Sequence, residues 1–332
     1  MAAVPPRTAA AVPHAVPGPD PAVVTVTVTT DDGAALAVYA DGPDDAPVTL
    51  VLAHGWTLDA SAWAPHARAL VAAGGVRVVR YDQRGHGRST GGGARPWSID
   101  LLGRDLAAVV EQVAPKGPLV LGGHSMGGMT IMALAAARAD LVADRVRGVL
   151  LTSTSAGQLD PRGRKDVPLR QRALGHVESA FFGYCSRTAA RSEWIRDRLL
   201  PGPAGRLNPY LVKRYLYGPA ASSEAVLAGA RMIHACPMAA VADWFPALML
   251  HDKAGALDAL GPLPVEVVVG TLDRLTPVAH SRRLVQELPD ARLRVEPGCG
   301  HMLLLERPDA VTSRLAELCA GAVAAVPQQR KG

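Results

Sequence analysis

The stretch from Leu119 to Ala137 reads LVLGGHSMGGMTIMALAAA, and it joins two patterns around a single hydroxyl. An apolar run typical of a buried strand leads into glycines, and a run of small and apolar residues typical of a helix follows them. Gly123 to Gly127 form the pattern G-x-S-x-G, which predicts a sharp strand-to-helix turn that exposes the side chain of Ser125. Glycines suit this turn because a Cβ would collide with the neighbouring strand and helix. The alternative interpretation is a chance glycine-rich turn.

A serine hydroxyl is a weak nucleophile unless a base takes its proton, and that base must reach the serine through the fold. Near the end of the chain, VEPGCGHMLLLERP places His301 after one predicted strand and before the last predicted helix. Residues that follow parallel strands collect at one edge of a sheet. His301, and not the adjacent His124, is therefore the candidate base for Ser125.

The imidazole of such a base needs a carboxylate that fixes its tautomer and stabilises its protonated form. The stretch VEVVVGTLDRLTP supplies Asp273 directly after a predicted strand. Asp252 and Asp258 precede that strand and are worse placed, while Asp160, which follows the preceding strand, stays open as an alternative. The candidate catalytic residues, in chain order, are Ser125, Asp273 and His301.

Attack on a carbonyl creates an oxyanion that needs N–H donors. One candidate donor is the backbone N–H of Met126, which directly follows the serine. The other is the backbone N–H of Trp56, in the glycine-containing loop AHGWTLDASAW after the third predicted strand. We interpret His54 of the same loop as structural.

The rest of the chain predicts an α/β fold. Two alternating segments near the start, VVTVTVTT and ALAVYA, predict an antiparallel hairpin at a sheet edge. Apolar strands and helices then alternate, which predicts a doubly wound parallel sheet with helices on both faces. The alternation stops near Ser155 and resumes about one hundred residues later. We expect a disordered tail over 1–21, a core formed by 22–155 and 261–326, and a mainly helical insertion over 156–260.

Four stretches resemble the α/β-hydrolase superfamily of serine esterases, lipases and perhydrolases: HGW, YDQRGHGRS, GHSMGG and GTLDRLTP with GCGHMLLLERP. The resemblance implies a mostly parallel sheet of eight strands. It also implies that Ser125, Asp273 and His301 form a catalytic triad, that Trp56 and Met126 form the oxyanion hole, and that the insertion is a cap over the site. In this family YDQRGHGRS is mainly architectural, so Asp82, Arg84 and His86 are not catalytic candidates.

The serine at the elbow separates this chain from the related epoxide hydrolases and haloalkane dehalogenases, which place aspartate there. The expected activity is therefore hydrolysis of a carboxylic ester through an acyl-enzyme, without a metal or an organic cofactor. The alternatives are a thioesterase, acyltransferase or lactone hydrolase of a biosynthetic pathway, and a non-catalytic binding protein with the same fold.

The net charge of +5 is unevenly placed, because residues 160–214 contain twelve Lys and Arg and five Asp and Glu. This segment is either a solvated face or a surface that attracts an anionic substrate or a phospholipid surface. It has no nucleic-acid motif, so we expect no nucleic acid as a partner. We expect the substrate to be a small acyl ester, either lipid-like or anionic. The larger apolar residues of the insertion line an acyl pocket or form the insertion's own core: Phe181, Phe182, Trp194, Met232, Met238, Trp244, Phe245 and Met249.

The four cysteines are far apart and form no CxxC pair, which indicates reduced thiols rather than a metal or redox site. The first 21 residues contain no continuous apolar segment typical of a signal peptide, and no stretch has the length of a transmembrane helix. We therefore expect a cytoplasmic protein without stable membrane insertion. The sequence leaves the oligomeric state open.

Overall fold

The computed structural model describes residues 24–162, 167–199 and 207–325. The predicted tail over 1–21 lies outside these residues. The eight strands of the described structure form one sheet. They are β1 Val26–Thr29, β2 Ala35–Asp41, β3 Thr49–Ala53, β4 Arg77–Tyr81, β5 Leu119–His124, β6 Val146–Thr152, β7 Val265–Gly270 and β8 Arg292–Glu296.

Helices connect the strands from β3 onward, and short 3-10 helices cover Ala60–Trp63 and Ala254–Ala259. The α-helices are α1 Ala64–Ala73, α2 Ile99–Val113, α3 Met126–Ala137, α4 Ala139–Arg145, α5 Leu169–Arg187, α6 Ala189–Leu199, α7 Leu207–Leu216, α8 Ser223–Ala235, α9 Met238–Met249, α10 Val278–Glu287, α11 Leu303–Glu306 and α12 Pro308–Ala324.

The strand order is β1-β2-β4-β3-β5-β6-β7-β8, and β2 runs antiparallel to both of its neighbours. Every pairing from β4 to β8 is parallel. This topology confirms the predicted mostly parallel, eight-stranded sheet with an antiparallel hairpin at one edge. Because β5 to β8 are parallel, the loops that follow them all emerge at the same edge of the sheet.

The central strands β3, β5 and β7 are buried on both faces, which explains why most of their residues are apolar. On β3, Leu50 and Leu52 join the apolar cluster that contains α1 and α12. Val51 and Ala53 alternate with them and join the opposite cluster, beside α2 and α3. The side-chain period of two along each strand therefore divides the core into two layers.

Five helices, α5 to α9, lie in the long connection between β6 and β7. Helix α9 packs on the beginnings of α2 and α3 through an apolar cluster that includes Trp97, Met126 and Trp244. Trp97 and Trp244 stack with ring centroids 4.7 Å apart, and Trp244 Nε1 donates to the backbone oxygen of Arg84 at 3.1 Å. The helical connection therefore packs against the start of α3, the helix that begins directly after Ser125.

Some elements differ from the sequence prediction. The alternation of strands and helices was expected to stop near Ser155, but β6 already ends at Thr152, because Ser153 adopts a φ of 47°, which an extended strand cannot contain. The short helix α11, which follows His301, was not predicted, because four residues are too few for a periodic pattern.

Among the described residues, no single helix is both long and apolar enough to cross a membrane. Two sharply bent helix pairs, α3 with α4 and α8 with α9, reach that length and composition only when each pair is counted together.

Candidate active site

Ser125 occupies a strained turn between β5 and α3. Its φ of 51° and ψ of −115° lie in a region that a residue with a Cβ rarely adopts. Two hydrogen bonds to the end of β6 hold this conformation. The N–H of Ser125 donates to the oxygen of Thr152 at 2.9 Å, and Thr154 Oγ1 donates to the oxygen of Ser125 at 2.7 Å.

The glycines around Ser125 allow the close approach of three backbone segments. A Cβ on Gly123 would lie 2.5 Å from the oxygen of Gly127. A Cβ on Gly127 would overlap the backbone oxygen of Ala53 at the end of β3. The G-x-S-x-G spacing thus permits α3 to start directly against β3 and β5, and it leaves the serine at the apex of the turn.

His301 and Asp273 form a buried hydrogen-bonded pair at the same edge of the sheet. His301 Nδ1 lies 2.9 Å from Asp273 Oδ2 and 3.0 Å from Oδ1. Asp273 follows β7, and its carboxylate also accepts from the N–H groups of Leu275 and Thr276 and from Thr276 Oγ1. Burial alone would raise the pKa of Asp273. However, the interaction with His301 and the hydrogen bonds from Thr276 outweigh burial and lower this pKa below its usual value.

Contacts on two sides fix the loop of His301 beside the serine turn. The N–H of His301 donates to the oxygen of Leu216, the last residue of α7, at 2.8 Å. His124 Nε2 donates to the oxygen of His301 at 2.9 Å, and the two imidazole centroids are 5.0 Å apart. The residue before Ser125 therefore contacts the predicted base directly.

The loop that holds Trp56 packs against the same turn. A Cβ on Gly55 would lie 2.5 Å from His124 Nδ1 and 3.3 Å from the Cβ of Ser125, so a glycine allows the loop to come this close. Within the described parts of the chain, the N–H groups of Trp56 and Met126 donate to no other protein group. In these ranges both predicted oxyanion donors therefore lack a protein acceptor.

His54 and His86 are buried and neutral, as the structural interpretation of His54 expects. His54 Nε2 accepts from the N–H of Gln83 at 2.8 Å, and burial lowers its pKa to about 4. His86 Nε2 accepts from the N–H of Thr57 at 3.3 Å, and burial, aided by His54, lowers its pKa to about 3. These bonds set the shape of the Trp56 loop.

Two charged residues of YDQRGHGRS brace the neighbouring loops. Asp82 accepts from Tyr39 and from the N–H groups of Ala60 and Arg88. Arg84 is fully buried and pairs with Asp32 and Asp105, each at 2.6 Å. Neither residue's contacts include the predicted triad, which supports the architectural interpretation of this motif.

None of the alternative acids contacts His301 in the described structure. Asp160 binds Arg162 at 2.7 Å. Asp252 pairs with Gly157 in an isolated bridge, and Asp258 lies in a 3-10 helix before β7. Asp273 is thus the carboxylate beside the imidazole.

The apolar candidates of the helical connection fall into three groups. Met232, Trp244 and Phe245 are buried. Phe182, Met238 and Met249 are half-buried, and Phe181 and Trp194 are exposed. Phe182 and Phe245 stack on each other at 4.2 Å and contact the indole of Trp56 at 5.7 and 6.2 Å, respectively. The helices α5 and α9 therefore meet the predicted oxyanion loop through an aromatic cluster.

Two further residues belong to this site and are not among those predicted from the sequence. Thr276 binds the Asp273 carboxylate, and its position three residues after an aspartate, in a turn, is a signal that could have identified it. Glu306 accepts from the N–H groups of Gly300 and Gly218, at 2.8 Å each. Gly218 is distant in the chain and Gly300 lies in a loop, so no local sequence pattern predicts these contacts of Glu306.

Across the described ranges, no group of three or more His, Cys, Asp or Glu residues is arranged to hold a metal ion. All four cysteines are buried and free.

The model of the alpha/beta hydrolase family matches residues 50–314. A bifunctional esterase/perhydrolase of Acinetobacter calcoaceticus is 40% identical over 104 residues, which are 30% of this chain and 35% of that protein. A non-heme haloperoxidase of Rhodococcus erythropolis is 26% identical over 298 residues, covering 87% of this chain and 97% of its own. The crystal structure of the enol-lactonase from Burkholderia xenovorans LB400 superposes with a TM-score of 0.66 and 27% identity, covering 86% of this chain and 97% of that one.

Proposed function

This chain belongs to the alpha/beta hydrolase family, and on that premise we propose that it is a serine hydrolase that cleaves carboxylic esters. The observation that carries the proposal is the buried pair of Asp273 and His301 beside the strained turn of Ser125. A neutral imidazole held by an ionised carboxylate is the base that a serine hydroxyl requires.

In the proposed reaction, His301 Nε2 takes the proton of Ser125 as Oγ attacks the ester carbonyl. The oxyanion of the tetrahedral intermediate accepts hydrogen bonds from the N–H groups of Trp56 and Met126. The intermediate then collapses, the bond to the alcohol breaks, and His301 returns the proton to the leaving oxygen. Asp273 stays ionised throughout and stabilises the imidazolium.

The acyl-enzyme is released by a second cycle with the same groups. Water enters, His301 removes its proton, and the resulting hydroxide attacks the acyl carbonyl. As the second intermediate collapses, the bond between the acyl carbon and Ser125 Oγ breaks, Oγ takes the proton back from His301, and the acid is released. Every step uses groups of the chain and water.

We also propose that the segment 156–260 is a cap on a core of 22–155 and 261–326. The support is its position, since α9 packs over Met126 and the stacked pair of Phe182 and Phe245 contacts Trp56. An apolar wall beside an oxyanion donor suits an acyl chain or an aryl group. The cap would then set the preferred acyl length.

The test is hydrolysis of p-nitrophenyl esters, from acetate to palmitate, by the wild type and by Ser125→Ala. Activity that depends on Ser125 supports the proposal, and the optimum chain length measures the pocket. Labelling of Ser125 by a fluorophosphonate without turnover of any of these esters would redirect the search to thioesters and lactones. Retained activity in a clean Ser125→Ala preparation, or no labelling, would reject the serine mechanism.

A second candidate reaction shares the acyl-enzyme and replaces water with hydrogen peroxide, so that the product is a peracid. The observation that favours it is the similarity to an esterase/perhydrolase and to a haloperoxidase. Peracid formation from acetate ester and hydrogen peroxide should then require Ser125. Formation at the same rate in Ser125→Ala would exclude this route.

A further inference from the structure

Helix α5 exposes an apolar face to solvent. Leu174, Val177, Phe181 and Tyr184 follow one another at intervals of three, four and three residues, which places them along one side of a helix. Their exposed fractions are 55%, 64%, 55% and 46%. A surface helix of a globular protein normally directs polar residues to solvent, so a row of four large apolar side chains calls for a partner.

Another side of α5 already has its own packing partner. Gly175 is buried, and Phe182 stacks on Phe245 of α9. The exposed row is therefore not the core-facing stripe of the helix but a second apolar face. We call this row, with its four residues Leu174, Val177, Phe181 and Tyr184, the α5 face.

Cations accompany the α5 face. Arg170 and Arg187 lie near the two ends of the helix and are exposed, and Glu178 is the one acid among its 19 residues. In the following helix, α6, the exposed Trp194 lies under the guanidinium of Arg198, 5.1 Å from the ring centroid. Apolar and aromatic side chains bordered by arginines are the composition of helices that lie in the interface of a membrane.

We propose that the α5 face is a docking surface for a membrane with anionic headgroups. The four apolar side chains would enter the boundary between headgroups and acyl chains, while the arginines contact lipid phosphates. The positive charge of this segment favours an anionic membrane over a second copy of the chain. A second copy of the chain would bring the same positive segment against itself, whereas an anionic bilayer complements it. Docking through α5 places the aromatic cluster of Phe182, Phe245 and Trp56 near the lipid.

The experiment is flotation of the full chain with vesicles of phosphatidylcholine, alone or mixed with phosphatidylglycerol. We expect the chain to bind the mixed vesicles roughly tenfold or more tightly than vesicles of pure phosphatidylcholine. Binding to the mixed vesicles should weaken as salt is added. The double variant Leu174→Glu/Val177→Glu should lose binding. Val323→Glu, which changes an exposed apolar residue of the distant helix α12, should keep it. Equal thermal unfolding of the two variants guards against a folding defect.

A second measurement tests how deeply the α5 face enters the bilayer. It uses a substitution that keeps the face apolar. Tryptophan placed by Leu174→Trp should be quenched by brominated lipid far more than tryptophan placed by Val323→Trp. Equal quenching, or equal flotation of all variants, would overturn the proposal. So would a wild-type dimer that Leu174→Glu/Val177→Glu converts to a monomer in the absence of lipid, since the occupant would then be a second copy. These readouts involve no turnover, so they stand or fall independently of the proposed hydrolase activity.

Discussion

His124 donates a hydrogen bond from Nε2 to the backbone oxygen of His301, and the two atoms are 2.9 Å apart. Because a carbonyl oxygen only accepts, the proton of His124 resides on Nε2 and its Nδ1 carries none. Burial, followed by the nearby His301, lowers the pKa of His124 to about 3, so this imidazole is neutral near pH 7. His124 thus ties the loop of the proposed base to the strand that ends at the proposed nucleophile.

Replacing His124 should therefore slow the proposed reaction without removing a reacting group. We expect His124→Leu to lower kcat on ester substrates by roughly 10- to 100-fold, because the loop of His301 is no longer held at the proper distance. His124→Gln retains a donor at a position similar to Nε2 and should recover part of the loss. Steady-state kinetics decide the matter, and equal kcat values for the two variants would show that the hydrogen bond does not position His301.

Asp273→Asn should have a larger effect than either His124 variant. The amide is neutral, so it neither stabilises an imidazolium nor fixes the tautomer with the proton on Nδ1. We expect kcat to fall by on the order of 10⁴-fold, with KM little changed. The measurement is kcat and KM on the best p-nitrophenyl ester. Activity within tenfold of the wild type would mean that another carboxylate serves His301.

The fold and the site differ in how far the sequence predicts them. The parallel sheet was predictable because its strands carry apolar residues on both faces, as Leu50 and Val51 show. The positions of Ser125, Asp273 and His301 followed from motifs that each lie within a few residues of a strand end. Their catalytic roles remain predictions.

Local sequence patterns of this kind do not predict contacts between segments that are distant in the chain. The carboxylate of Glu306 binds the N–H of Gly218, 88 residues away, and nothing local distinguishes it from a solvated glutamate. In the same way, the sequence of the helical connection does not distinguish an apolar residue that is buried, like Phe245, from one that is exposed, like Phe181. Only the packing of α5 against α9 separates the two.

Glu306 offers a test of how the helical connection holds the loop of His301. Its two oxygens each accept from one backbone N–H, from Gly218 and from Gly300, so Glu306→Ala leaves two donors without this partner. We expect Glu306→Ala to lower the free energy of unfolding by about 2–3 kcal/mol and to reduce kcat. Glu306→Gln, which keeps one acceptor oxygen, should fall between. Urea unfolding provides the measurement, and an unchanged midpoint for Glu306→Ala would contradict the bridging role.

The serine turn should tolerate no side chain at Gly127. The added Cβ of Gly127→Ala meets the backbone of Ala53 and His54, which cannot move without disturbing β3. We expect a loss of about 1–3 kcal/mol or more in stability, together with loss of activity. Gly321→Ala in α12 is the matched control. There a Cβ has open space, and alanine should stabilise the helix by about 0.5–1 kcal/mol. Similar effects of the two substitutions in thermal unfolding would refute the crowding argument.

Acid should destabilise the protein well before its carboxylates titrate. Burial is the main cause that lowers the pKa of four histidines, to about 4 for His54 and His251 and to about 3 for His86 and His124. In the unfolded chain each has a pKa of about 6.5. Between these values the unfolded state binds more protons than the folded state, so the free energy of unfolding falls as pH falls.

The size of this effect follows from the number of protons taken up. Well below pH 6.5, each buried histidine should cost about 1.4 kcal/mol of stability per pH unit. Urea unfolding from about pH 7.5 to about pH 5 should show midpoints that are level at first and then drop steeply. His251→Gln keeps a donor for the oxygen of Ser155 and removes one titrating group, so it should reduce the slope by about a quarter. The slope of the free energy of unfolding against pH is proportional to the number of protons taken up on unfolding, whereas the absolute stability is not. A profile that stays flat down to about pH 5 would therefore mean that these histidines can be protonated in the folded state.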